Sequence, residues 1–143
     1  MDEETRERYL RNALGASGLV FIFGIGLLMR VWPAGFAWTP RQPEYEQMLL
    51  GVYATLGIFL LVASRAPAMH RSLILFAGWS SVVHGVVMGV QAIHDATERT
   101  HLIGDVPALV VIGAVLVGLA LPVRQLGLAT GAHMSDDPVP LGR

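Results

Sequence analysis

The chain has 143 residues, 53% hydrophobic and only 15% charged, with a formal net charge of −1. This balance belongs to a helical membrane protein and excludes the broad basic surface that nucleic-acid binding needs. The absence of cysteine excludes disulfides, thiolate metal sites and thiol nucleophiles, and all ten basic residues are arginine, which excludes a lysine Schiff base. Any metal site would have to use His, Asp and Glu.

Four uncharged apolar runs, each near the roughly 20 residues that cross a hydrocarbon core of about 30 Å, predict an all-α integral membrane four-helix bundle. The helices are expected at about 12–30, 45–64, 72–94 and 105–123, in one domain over residues 1–124. A secretory signal peptide is the rival reading of the first run, with Gly35-Phe36-Ala37 as a small-x-small cleavage site. The region before that run is as acidic as it is basic, and the run exceeds a usual signal core, so a retained helix is favoured.

Between the first two helices, residues 31–42 carry Trp32, Phe36 and Trp38 among prolines, a composition suited to a loop in the headgroup layer. Pro43 with Glu44 and Glu46 then opens the second helix. The short connection around Pro67 predicts that the second and third helices are antiparallel neighbours. Asp105 before Val106-Pro107 reads as the N-cap of the fourth helix. The tail over 125–143, poor in apolar residues, is expected to be disordered.

Arginines 6, 8, 11, 65, 71, 124 and 143 fall on one side of this layout, against 30, 41 and 99 on the other. The positive-inside rule then puts both termini in the cytoplasm, for a multi-pass protein of a bacterial inner membrane.

His84 is the unusual residue, an ionisable group near the middle of the third apolar run. Ser80, His84, Met88, Gln91 and Asp95 recur every three or four residues, so they share a helix face. Glu46, Tyr53 and Gly57 form a second stripe, and His101 and Asp105 are one helical turn apart. These stripes predict a polar pocket, made of Glu46, Tyr53, His84, Gln91, His101 and Asp105, opening outward between helices two, three and four. His84 should face Tyr53, with Val82, Val86 and Val90 turned to lipid. Plainer readings stand beside this one. His84 can be a hydrogen-bonded packing residue; His94, Asp95, Glu98, Arg99 and His101 can be a solvated loop; and Gly85, Gly89, Gly113 and Gly118 suit close helix packing.

The segment from Tyr45 to Gly89 contains Glu46 ahead of the "GxYxxLG" pattern Gly51, Tyr53 and Gly57. In this it resembles the DoxX-like and related small four-helix bacterial membrane proteins. The resemblance implies a bundle fold and no established activity. The functional expectation is a non-enzymatic accessory or interaction subunit, or a binder of a small hydrophobic ligand. A redox or metal protein built on His84 and the outer Glu/His/Asp residues is the alternative, and an oligomeric transporter the third. Expected partners are the lipid bilayer and either another membrane protein or further copies of the chain, with no nucleic acid; no cofactor is specified.

Overall fold

The computed structural model describes residues 2–121; the expected disordered tail and His133 lie outside them. Helix α1 runs from Glu3 to Val31, α2 from Pro43 to Ala63, α3 from Arg71 to His94 and α4 from Asp105 to Ala120. All four spans are long and apolar enough to cross a membrane, and the described residues contain no strand. The chain is an all-α four-helix bundle and a multi-pass membrane protein. The helices alternate in direction. One end of the bundle therefore carries the N-terminus and the Pro67–His70 turn, and the other carries the α1–α2 loop and the Ala96–Ile103 segment.

The bundle is apolar on its outside and finely packed within. Phe23, Phe76 and Met69 are 68%, 66% and 84% exposed, which lipid accepts and water would not. The interior instead holds small residues that let backbones approach. In the α1–α2 pair a Cβ on Gly18 would lie 2.8 Å from the Gly57 carbonyl oxygen, and in the α3–α4 pair a Cβ on Gly113 would lie 2.5 Å from that of Gly78. Each pair therefore meets backbone to backbone at a point where only glycine fits.

Four expectations need correction or qualification. First, α1 begins at Glu3, well before residue 12. Its leading turns are held by the Arg11–Glu7 pair (2.7 Å) and by acids Glu3 and Glu4 at the positive end of the helix dipole, and Leu10 and Leu14 are buried. Second, α2 and α3 are antiparallel neighbours, joined by Tyr53 and His84, but they meet sparsely, and the extensive pairings are α1–α2 and α3–α4. Third, Gly118 does not sit at a tight crossing: a Cβ there meets nothing within 4 Å, in an open groove beside Ala13, Ala16 and Ala114. Fourth, Val82 does not simply face lipid, since its side chain packs against Gly113, whereas Val86 and Val90 are exposed as expected.

Helix α1 is not regular throughout. Val20–Gly24 forms a π-helical turn, with one residue more per hydrogen-bonded ring than its α-helical flanks. The wider turn turns Phe21 inward, where it is 1% exposed and its ring lies 5.2 Å from that of Tyr53.

Candidate functional site

At the loop end of the bundle the sparse α2–α3 contact leaves a cavity of about 450 Å³, lined by all four helices and by the α1–α2 loop. Its volume is in the range of small-molecule sites. The wall is mostly apolar, with Phe21, Ile25, Leu28, Leu50, Leu109 and Ile112 among its residues. Polar groups enter from α2, α3 and α4: Glu46, Tyr53, His84, Gln91 and Asp105. Five of the six sequence-predicted residues therefore share one cavity wall. His101 does not line it; it stands behind Asp105.

His84 projects from α3 toward α2, and its Nδ1 lies 3.2 Å from the Tyr53 hydroxyl oxygen in hydrogen-bond geometry. Both side chains are half-buried. When the hydroxyl donates to Nδ1, the ring proton sits on Nε2, which leaves the imidazole a donor for a further group. Gln91, two helical turns farther along α3, is exposed at the cavity's rim.

Glu46 does not descend toward His84. Arg41 grips it in a two-point contact, Nε to Oε1 and Nη2 to Oε2, each 2.6 Å. This fork geometry places the ion pair at the cavity mouth.

The fourth helix supplies the buried charge. Gly104, not Asp105, is the N-cap position, and Asp105 is the first residue of α4. Its carboxylate accepts from His101 Nδ1, which lies 2.9 Å from both oxygens. The other ring nitrogen, Nε2, is 3.2 Å from Glu98 Oε2 but outside hydrogen-bonding geometry, so that contact is electrostatic. Glu98 in turn accepts from the Thr39 backbone N–H at 2.8 Å.

His101 is fully buried and Glu98 is 3% exposed, so neither belongs to a solvated loop. The cause is the α1–α2 segment, which folds over them. Trp38 stacks on the His101 ring with centroids 4.5 Å apart, and Gly35 packs on the Gly104 backbone. His94, Asp95 and Arg99 stay exposed. Asp95 caps the Ala96–Ile103 turn, accepting from the Thr97 N–H and hydroxyl, and these bonds lower its pKa below the usual carboxylate value.

Sequence reasoning missed Trp38 and Phe21 as parts of the site. The loop composition marked Trp38 as interfacial, but nothing local signalled a stack on a residue so distant in the chain. A π turn leaves no composition signature either. Among the described residues no group of three or more His, Cys, Asp or Glu side chains is arranged to hold a metal ion.

The sequence matches a family of unknown function, DUF6632, over residues 5–137. The chain belongs to this family. No curated protein and no solved structure matches the chain. The match covers all four helices and the whole candidate site, so the family is defined over the bundle itself and not over an appended segment.

Proposed function

We propose that this DUF6632 protein binds one small amphiphilic molecule in the cavity at the loop end of the bundle. The observation that carries the reading is the division of the wall. One part is made of aliphatic and aromatic side chains, and the other presents the Tyr53–His84 pair, Gln91 and Asp105. A molecule with an apolar body and a polar head satisfies both parts, and buried polar groups that face such a space gain from a bonding partner. In this reading Tyr53 and His84 orient the head, and the aliphatic wall holds the body. The DoxX-like resemblance of helices two and three belongs to the same proposal, since its Glu46, Gly51, Tyr53 and Gly57 pattern contributes Glu46 and Tyr53 to the wall.

Native mass spectrometry after gentle extraction tests the reading. The wild-type chain should retain a bound small molecule at one per protein. Leu50→Trp, which places an indole in the cavity, should lose it while keeping its helicity by circular dichroism. A wild-type protein that carries no stoichiometric small molecule, either from its own membrane or after incubation with a long-chain alcohol, would overturn the assignment.

The proposal includes orientation in a bacterial inner membrane. Arg6, Arg8, Arg11, Arg65 and Arg71 lie at the bundle end opposite the cavity, against Arg30, Arg41 and Arg99 at the cavity end. By the positive-inside rule the cavity then faces the periplasm and both termini the cytoplasm. A C-terminal alkaline phosphatase fusion should be inactive and a fusion in the α1–α2 loop active; the reverse pattern would invert the topology.

A further inference from the structure

We propose that the cavity selects a lipophilic cation. The inference rests on the cavity being an amphiphile site and specifies the charge of the head. The acidic side chains on the wall are Glu46 and Asp105; its one imidazole, His84, is neutral when its Nδ1 accepts from the Tyr53 hydroxyl, and no arginine is among the described residues that line it. Glu46 is matched by the two-point contact of Arg41, so its charge is already answered. The excess falls on the buried cluster behind Asp105, where two carboxylates, Glu98 and Asp105, share the single imidazole of His101. Even a doubly protonated ring leaves that cluster one negative charge over when both carboxylates are ionised.

A buried uncompensated charge acts strongly on the space next to it, because little solvent screens it. Asp105 is the cluster member that reaches the cavity. The positive end of the α4 dipole does not reverse this sign, since Asp105 itself occupies the first position of the helix and takes up that field.

The aromatic residues of the wall act in the same direction. Phe36, Trp38, Tyr45 and Tyr53 line the cavity, and ring faces carry negative electrostatic potential that attracts cations, most of all when water is excluded. An anionic head would meet carboxylate and ring faces of like sign, and a neutral head would leave the field of the cluster unanswered. A protonated amine, a quaternary ammonium or a phosphonium with apolar substituents meets both demands.

Tetraphenylphosphonium and tetraphenylborate have the same shape and opposite charge, so they separate charge selection from simple hydrophobic uptake. Their binding to the purified full chain in an uncharged detergent is measured by equilibrium dialysis, with empty micelles as the blank. The expected result is saturable binding of one phosphonium per chain, at least about tenfold tighter than borate. Leu50→Trp should abolish it. Asp105→Asn, which keeps an acceptor oxygen for His101, should weaken phosphonium binding about tenfold or more while changing borate little.

Equal binding of both ions, or a preference for borate, that is still lost in Leu50→Trp would overturn the cation proposal and leave the amphiphile site standing. Absence of any binding sensitive to Leu50→Trp would overturn it as well, and an empty native mass spectrum would then remove the underlying reading too. The wild-type ratio between the two ions decides the matter even if Asp105→Asn fails to fold.

Discussion

Replacing His101 with alanine will destabilise the loop end of the bundle more than any other single change in the site. The substitution removes the group that stands between Glu98 and Asp105 and leaves two buried carboxylates facing each other across the space it vacated. Breaking a buried charged arrangement by deleting one partner costs about 3–5 kcal/mol, because the remaining charge keeps its desolvation penalty without its compensation. The stacking partner of Trp38 disappears in the same step, so the α1–α2 loop loses a fastening point over the cavity.

The measurement is thermal unfolding in detergent, followed by circular dichroism. His101→Ala should melt far below wild type, and adding Glu98→Gln and Asp105→Asn to it should recover part of the loss. A wild-type melting temperature for His101→Ala, or no recovery in the triple variant, would show that the cluster is not held together by charge.

Gly113→Leu should separate α3 from α4, whereas Gly118→Leu, one and a half turns along the same helix, should be silent. The contrast follows from what each new side chain meets. At Gly113 a Cβ alone would stand 2.5 Å from the Gly78 carbonyl oxygen and 2.9 Å from the Val82 nitrogen, both backbone atoms that cannot swing aside. Overpacking of this kind costs typically about 1–3 kcal/mol, and here the helices themselves must move. At Gly118 the same atom meets nothing within 4 Å, and leucine is the better helix former by several tenths of a kcal/mol or more. Gly85→Leu belongs with Gly113→Leu, since its Cβ would press on Val110 Cγ2 at 2.9 Å. Comparative melting of Gly113→Leu and Gly118→Leu in one detergent checks this, and equal losses would mean that the α3–α4 crossing lies elsewhere.

Both predictions draw on residues with different histories in the sequence. The i, i+4 spacing of His101 and Asp105 was enough to pair them, although a 3₁₀ turn and Gly104 interrupt the helix between them. Their burial was not legible, because it is imposed by Trp38 and Thr39 from the α1–α2 loop. Of the four glycines expected at interfaces, Gly113 and Gly85 make close contacts and Gly118 makes none. Gly78, which matches Gly113 across the α3–α4 crossing, carried no separate signal in a run already rich in small residues.

What the sequence determined by itself is the set of spans and the faces they present. Apolar runs of membrane length admit only helices, since lipid offers no partner to an open backbone group, and helical periodicity puts His84 and Gln91 on one face of α3, and Glu46 and Tyr53 on one face of α2, before any contact is known. The tertiary structure alone decided which helices pair, where the bundle opens and what the charges meet. Pairing turned on two glycine crossings whose partners lie on different helices. The cavity lies where α2 and α3 meet sparsely, and the π turn of α1 contributes Phe21 to its wall. Glu46 was drawn to Arg41, and Glu98 to His101, by contacts set by how the loop closes over the bundle. Periodicity fixes the direction of a side chain from its own helix; the partner it finds there is set by chain segments whose positions no local pattern encodes.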